Sequence, residues 1–527
     1  MEKVLIDGKW INSQSTGEFS AANPNTREPS SEGYPMSSWA DCDAALEAAA
    51  NAFLELRSLG SESIALFLET FATKIEEVST ELVDMAHFET GLPKSPRLAD
   101  VELPRTTNQL RLAADAARNG SWALPTIDTE LNIRSVYAPL GPVVIFGPNN
   151  FPFAFGSVSG GDFAAAIAAG NPVIGKANSS HPGTTRILAE QAIKAAELSN
   201  VPSAIVQLIY RTSHSDGERM VSDPRVGAIG YTGSRTAGLK LKTAADAVGK
   251  PIYLELSSVN PVIILPGANE ERMESLVEDY VTSSLMGAGQ FCTNPGIVLI
   301  PESETGRSFI AAVQEKFDAS PGGTLLSAAV EKSLLQSIAF LESNGATRLT
   351  TNSKTDDSRF CCPNALLTTT GENFISNPEA MQTEAFGNAS LFVTYQSIDQ
   401  LVEIIDAMEG NLTGCIYSHT GDLDDSSYRR IAPHLAQKVG RLLNDKMPTG
   451  VAVSSAMNHG GPYPATGHPG HTAVGIPGTI RRFAMLQCYD NVRQGRLPRL
   501  LGDGCPSENT WRLVDGRWTN GDVQPSV

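Results

Sequence analysis

The sequence predicts an α/β protein with doubly wound, mostly parallel sheets, and three observations carry that reading. Beyond Gly141, short β-rich runs alternate with helical stretches, the rhythm of a parallel sheet wrapped by helices. The same rhythm restarts at about Glu270, after Pro261 and Pro266 punctuate the exit from the first region. At 527 residues the chain is also too long for one ordinary hydrophobic core, so two large domains are expected.

The first ten or so residues read as a short strand with an Asp7-Gly8 turn, followed by a polar loop through Asn23-Pro24-Asn25. From Cys42 to about Leu92, apolar residues recur at helical spacing (Ala45, Ala48, Ala49, Ala52, Phe53, then Leu66, Phe67, Phe71, Ile75), a pair of amphipathic helices ending near Gly91-Leu92-Pro93. A third helix is expected over 104–118, and 132–137 reads as an exposed strand carrying Arg134. Strands are then expected at 143–146, 173–176, 205–210, 228–231, 252–256 and 262–265, with helices at 161–169, 183–197, 219–222 and 238–247 between them. In the second region, helices are expected at 274–286, 308–317 and 398–408, and strands at 296–300 and 391–395. A late strand covers 480–489, and the polar stretch from Gly502 is expected to wrap the surface.

Composition excludes several classes of function. Formal charge is −18 with no Lys/Arg cluster, which argues against nucleic acid or an anionic membrane as partner. Seven cysteines at irregular spacing, with no C-x-x-C pair, suggest neither a disulfide framework nor a zinc site. The first residues lack the basic start and apolar core of a signal peptide, and the apolar stretch from Phe163 to Ile174 is too short and broken to span a bilayer. A cytoplasmic protein is expected.

Three short motifs carry chemistry. Gly289-Gln290-Phe291-Cys292-Thr293 offers a thiol among small residues, and a helix starting nearby would lower its pKa. Tyr253-Leu254-Glu255-Leu256 sets a carboxylate at the end of an apolar strand, where burial would lift its pKa toward working pH. Phe146-Gly147-Pro148-Asn149-Asn150-Phe151-Pro152 presents amides on a proline-bounded turn, and the residues alone leave Asn149 and Asn150 equally open. Nucleophile, water-activating base and oxyanion donor are the parts needed to oxidise an aldehyde through a thioester. Read singly, Cys292 would be an inert buried thiol and Glu255 a salt-bridged carboxylate. Vicinal Cys361-Cys362 read as ordinary strand-edge residues. His459, His468 and His471 lie in a Gly/Pro-rich loop, with no acidic or cysteine partner at ligand spacing, so no metal is expected.

In this order, the motifs resemble the NAD(P)-dependent aldehyde dehydrogenase superfamily over nearly the whole chain. Lys176-Ala177-Asn178-Ser179-Ser180-His181-Pro182-Gly183, Gly289 to Gly296, His459 to Thr466, Arg481-Arg482-Phe483 and Trp511 to Gly516 are similar to the 2,5-dioxopentanoate (α-ketoglutaric semialdehyde) dehydrogenase branch, itself similar to NADP-dependent long-chain aldehyde dehydrogenases. The resemblance implies a Rossmann-type cofactor domain (1–119 and 139–257), a second α/β catalytic domain (258–478), a β oligomerisation arm (120–138 and 479–500) and a C-terminal tail (501–527). It selects Asn150 over Asn149, with Cys292 and Glu255 as the other catalytic residues. It assigns Gly233 and Ser234 to phosphate contact, Lys176 to the adenine ribose, and Glu384 with Phe386 to the nicotinamide side. Ser179 stands where most NAD-preferring relatives carry an acid, so NADP or NAD is expected as cofactor, with NADP favoured. The family's usual glycine is Ser257 here, which leaves the fine geometry near the nicotinamide open but not the base, and its usual proline is Asn388, which implies a looser loop beside Glu384. Phe151, Phe291 and the histidine loop are expected to line the mouth of the aldehyde funnel.

The implied function is oxidation of 2,5-dioxopentanoate to 2-oxoglutarate without acyl transfer to coenzyme A, by a homodimer or homotetramer. An NADP-dependent aliphatic (fatty) aldehyde dehydrogenase is the alternative. A catalytically silent protein of the same fold and a cofactor-free cysteine hydrolase are more remote. Retention of Cys292, Glu255, Asn150, Lys176 and Glu384 together speaks against the former, and the nucleotide half against the latter.

Overall fold

Five strands whose residues are apolar on both faces can be buried only between two layers of helices, and that is how the first sheet is built. In the computed structural model, which describes residues 1–352 and 354–524, Val143–Phe146, Val173–Lys176, Val206–Ile209, Ala228–Thr232 and Ile252–Glu255 run parallel. Their spatial order starts from the last strand: Ile252–Glu255, Ala228–Thr232, Val143–Phe146, Val173–Lys176, Val206–Ile209. Val4–Ile6 and Lys9–Ile11 close the far edge as an antiparallel hairpin. The chain thus winds outward from Val143–Phe146, then returns to add Ala228–Thr232 on the other side. That reversal opens a crevice at the carboxyl ends of these two strands, the place where open α/β sheets bind ligands.

The second sheet repeats the principle. Its order is Thr347–Arg348, Ala365–Thr370, Ala389–Tyr395, Ile297–Pro301, Val262–Ile264, Asn411–Tyr417, Val439–Asn444, all parallel except the first edge strand. Helices Pro266–Leu285, Glu304–Ala319, Ala328–Ser343, Ile398–Ala407 and Asp425–Lys438 pack on it. Separate cores form around Ile263, Leu299 and Leu367 on one face, and around Val262, Val298 and Phe392 on the other. Among the described residues no helix is long and apolar enough to cross a membrane.

A third, five-stranded sheet pairs Ala484–Asp490 with Ile133–Pro139, continuing through Thr126–Asp128 to Arg512–Val514 and Arg517–Thr519. Two expectations are corrected here. Arg134, expected on an exposed strand, is buried; it donates to the Leu501 carbonyl (2.5 Å) and to Asp503 (2.8 Å). The segment after Gly502 does not merely wrap the surface. It adds two strands, held by the wholly buried Arg512, which donates to the carbonyls of Gly502 (2.5 Å) and Gly521 (2.9 Å). Polar composition concealed this because the buried atoms are backbone carbonyls, which a guanidinium satisfies better than any apolar side chain.

Replacing Arg512 with Ala should therefore leave those carbonyls unpaired and cost about 2–4 kcal/mol locally. Hydrogen exchange is expected to accelerate in residues 502–522 with the first sheet unchanged; unaltered protection there would show that Arg512 does not hold the hairpin.

Candidate active site

The loop bearing Cys292 exists because a helix is broken abruptly. Pro266–Leu285 ends at Met286, and Gly287 (φ 55°), Ala288 (φ 56°) and Gly289 (φ 69°) all take left-handed backbone. Only glycine adopts this region freely, so Ala288 carries strain of about 1–3 kcal/mol that the surrounding packing must hold. A side chain at Gly289 would collide with the Gly387 carbonyl, so that position has no alternative residue. The break contradicts the expectation that a helix begins near Cys292: the thiol follows a helix C-terminus and precedes the strand Ile297–Pro301. Gln290 pins the loop by accepting from Leu326 N–H (2.8 Å) and donating to the carbonyls of Gly287 (3.0 Å) and Thr324 (3.1 Å). Asn260 donates to the carbonyls of Cys292 (2.8 Å) and Asn294 (2.9 Å).

Three segments far apart in sequence converge on this loop. Glu255 ends the edge strand Ile252–Glu255 and is buried; its Oε1 lies 2.8 Å from His459 Nε2. The same Nε2 lies 3.5 Å from Cys292 Sγ. Asn150, also buried, donates from Nδ2 to the Gln290 carbonyl (3.0 Å), and its own carbonyl accepts from Arg97 (2.9 Å). Asn149 instead faces the crevice beside Lys176. The two amides that sequence left open are thus separated, one turned to the thiol loop and the other to the cleft.

The electrostatics differ from expectation at two atoms. Burial pushes the Cys292 thiol well above its ordinary value, and the neighbouring Glu255 carboxylate pushes it further. No helix N-terminus offsets these effects. Burial also raises Glu255, but the His459 imidazole, Cys292 and Arg482 together outweigh it and hold the carboxyl below its usual value. The expectation of a raised Glu255 is therefore corrected: the carboxylate is ionised and faces a protonated thiol.

His459 is the main residue that sequence reasoning misplaced. It was expected with His468 and His471 at a funnel mouth, yet it is buried at the centre. His468 and His471 pack against the Tyr253 ring at 5.1 and 5.2 Å. The missing signal was partnership across 167 and 204 residues, which spacing rules cannot see. Glu255, Cys292 and His459 bring their ligand-type atoms within 4.8 Å of one another. Donors about 2.0–2.3 Å from a tetrahedral metal would stand roughly 3.3–3.7 Å apart. The 2.8 Å Glu255–His459 approach is a hydrogen bond, so the trio suits proton transfer better than metal binding.

Lys176, Ser179, Gly233 and Ser234 all line one cleft of about 530 Å³ at the reversal of the first sheet. Ser234 caps helix Arg235–Asp246, accepting from Ala237 N–H, and the start of that helix lines the cleft. Gly233 N–H donates to the Glu255 carbonyl (3.1 Å), coupling the cleft to the catalytic strand. Arg211, which sequence reasoning missed, also lines the cleft, as does Glu218. Burial and then Arg211 press Lys176 down to about 8, with no carboxylate among the groups that act on it. Unpaired cations beside a helix N-terminus fit a polyphosphate ligand.

Glu384 and Phe386 line a separate cavity with Ser258, Gly289 and Phe291. Burial pushes Glu384 up to about 7, against hydrogen bonds from Ser257 and the Ser258 N–H (3.3 Å). Of the two departures from the family pattern, Asn388 does not loosen this region. Ser257 bonds Glu384, and Asn388 is buried, donating to the Cys362 carbonyl (2.9 Å) and Asn364 (2.7 Å).

The family model described as the aldehyde dehydrogenase family matches residues 10–461. The alpha-ketoglutaric semialdehyde dehydrogenase 2 of Azospirillum brasilense is 36% identical over 98% of this chain and 99% of its own length. The alpha-ketoglutaric semialdehyde dehydrogenase of Acinetobacter baylyi is 34% identical, covering 98% of each chain. The crystal structure of a betaine aldehyde dehydrogenase from Staphylococcus aureus shares the fold with a TM-score of 0.80 at 20% identity, over 93% of this chain and 95% of that one. A thiol, carboxylate and amide converging beside a cleft at the reversal of the first sheet, in a chain so matched along its length, leave one conclusion: the protein belongs to the aldehyde dehydrogenase family, NAD(P)-dependent oxidoreductases that act on aldehydes.

Proposed function

We propose that this enzyme oxidises 2,5-dioxopentanoate to 2-oxoglutarate, with Cys292 as nucleophile, Glu255 as base and Asn150 as oxyanion donor. The contact of Cys292, Glu255 and His459 carries the chemical part of this reading. Cys292 Sγ adds to the aldehyde carbon as the ionised Glu255 takes its proton, giving a thiohemiacetal whose oxygen develops negative charge. Asn150 Nδ2, within the Cys292 loop's reach, donates to that oxygen, with the Cys292 backbone N–H as second donor. When bound, the dinucleotide supplies the two-electron acceptor that turns this adduct into a thioester. Once that proton has passed on to solvent, Glu255 deprotonates the water that releases the acid, while His459 holds the carboxylate in place by its Nε2 contact. A carboxylate beside the thioester favours hydrolysis over acyl transfer.

Lys176, Ser179, Gly233 and Ser234 would hold the adenosine and phosphate end of the cofactor, and Glu384 with Phe386 the nicotinamide end. NADP is favoured. Ser179 places no acid against a 2′-phosphate, and Lys176 and Arg211 present two cations with no carboxylate partner among the described residues. Glu218 on the same wall is the one opposing charge. We also take 1–119 with 139–257 as the cofactor domain, 258–478 as the catalytic domain, and 120–138 with 479–500 as an oligomerisation arm. The open edge at Ala484–Asp490, with Met485 and Leu486 exposed, supports assembly as a homodimer or homotetramer in the cytoplasm.

The substrate assignment is supported by the names and near full-length match of the two semialdehyde dehydrogenases. An aliphatic aldehyde is the second reading. It is favoured by the aromatic cluster of Phe151, Phe155 and Phe291 beside the thiol, whose rings lie 5.3–5.5 Å apart.

Three outcomes follow. Turnover on 2,5-dioxopentanoate should exceed that on hexanal by at least tenfold in kcat/KM, and the reverse order would select the aliphatic reading. Arg211→Ala should raise KM for NADP by about 10- to 100-fold, the loss of a charge-assisted contact of about 1.5–3 kcal/mol, with KM for NAD little changed; equal effects on both would remove Arg211 from the 2′-phosphate. Alkylation of Cys292 in the cofactor-free enzyme, followed by peptide mass, should be slow at pH 7 and still rising above pH 9. Glu255→Gln removes a negative charge and so should shift that rise to lower pH while abolishing turnover. A profile that stays put would mean that thiol and carboxylate do not interact as described.

A further inference from the structure

We infer that Arg105 is the anchor for the substrate's carboxylate, holding an ω-oxo acid with its aldehyde end toward Cys292. This rests on the reading that the substrate carries a carboxylate, and it names the residue which that reading lacked. Four arginines come near the active centre, and three are committed. Arg97 pairs with Glu102 and donates to the Asn150 carbonyl (2.9 Å), leaving only its Nε free. Arg441 donates to the carbonyls of Pro448 (2.7 Å) and Gly450 (3.2 Å). Arg482 pairs with Asp162 (2.6 Å) and with Thr479.

Arg105 makes no hydrogen bond or ion pair among the described residues, although its Nε and Nη2 are fully buried. Glu102, the carboxylate that acts most strongly on it, is already engaged: one oxygen takes Arg97, and the other accepts from the N–H groups of Phe153 (2.8 Å) and Ala154 (3.0 Å). Nε and Nη2 form the side edge of a guanidinium, the pair of parallel donors that grips a carboxylate at two points. A buried charge left without a partner is expensive, which is why such groups are normally paired or serve a ligand.

The placement suits an elongated substrate. The guanidinium lies 5.2 Å from the Phe155 ring and 5.9 Å from the Phe151 ring. Phe155 lies 5.8 Å from the His459 ring, and His459 touches Cys292. The cation therefore stands one aromatic ring away from the catalytic histidine, and Cys292 and Glu255 are close enough to act on its charge. In 2,5-dioxopentanoate the carboxylate and the aldehyde carbon are four bonds apart. A guanidinium that reaches the carboxylate can also donate to the adjoining 2-oxo oxygen. The bland alternative is that Arg105 serves only to pack on the two rings through cation–π contact, and the test must separate the two.

The test compares oxo acids with uncharged aldehydes on the NADP-loaded enzyme. Arg105→Met keeps the length and removes the charge. It should lower kcat/KM on 2,5-dioxopentanoate and succinic semialdehyde by 100-fold or more, mainly through KM, while hexanal changes by less than threefold. Arg105→Lys should recover part of the loss. Equal losses on acids and hexanal would mean a packing role only and overturn the proposal, as would acids left unaffected. If Arg105→Met does not fold, Arg105→Lys and Arg105→Gln are judged by the same ratio of acid to hexanal. The wild-type ratio of succinic semialdehyde to its methyl ester separates this proposal from the substrate assignment. An acid preference lost in the variant supports Arg105 even if hexanal proves the better wild-type substrate, which would sink only the assignment. An acid preference that survives the variant removes Arg105 alone. No preference in the wild type removes both.

Discussion

The hydrogen bond between His459 Nε2 and Glu255 Oε1 is the contact on which the rest of the site depends. It joins the edge strand of the first sheet to a loop that follows the last strand of the second, and both partners are buried. A carboxylate can stay ionised in so dry a place only if a donor satisfies it, and the imidazole beside it supplies one. Once paired, they form a wall against which Cys292 rests. The geometry of the thiol is therefore set by two sheets at once, and a small shift of either would separate nucleophile from base.

Each of the other constraints serves that approach. The left-handed run at Gly287, Ala288 and Gly289 turns the chain sharply at the end of a long helix, so that Cys292 is delivered sideways toward Glu255. Gly387 packs directly against Gly289, leaving no room for a side chain, and this fixes the loop to the segment that bears Glu384. On the other side, Gly233 N–H bonds the Glu255 carbonyl, so a residue lining the cleft is tied to the strand that ends beside the thiol.

The doubly wound sheets were legible because periodicity and punctuation are local properties: strands covered on both faces read as apolar runs, and glycines and prolines mark their ends. Cys292, Glu255 and Asn150 were legible as residue types suited to a chemistry, although only resemblance chose Asn150 over Asn149. What stayed hidden is what depends on partners remote in sequence. Nothing near His459 in the chain reveals that it meets Glu255, and nothing near Arg105 reveals that Glu102 is already taken. Arg134 and Arg512 misled for the same reason, since a charged residue in a polar stretch looks exposed until the carbonyls it satisfies are known. The pKa directions at Cys292 and Glu255 were misjudged because their surroundings are remote in sequence: burial with no helix N-terminus raises the thiol, and His459 above all lowers the carboxyl.

That coupling gives the resting site a definite logic. A thiol held protonated by burial and by a neighbouring carboxylate is a poor nucleophile and a poor target for oxidation. The same carboxylate, held ionised above all by His459, lies within 4.8 Å of that sulfur and is the proton acceptor of the proposed reaction. Reactivity is therefore withheld until something makes the negative charge on sulfur more favourable or consumes it as it forms. Attack on a carbonyl does the latter, because the charge passes from sulfur to an oxygen that Asn150 can serve. The thiol need never exist as a free thiolate; its proton and its lone pair can leave in one motion, to Glu255 and to the aldehyde carbon. After that transfer the site holds a protonated Glu255, which must lose its proton before it can activate water. The Oε2 of Glu255 has no partner among the described residues, and Glu255 lines a small cavity with His468, His471 and Thr472.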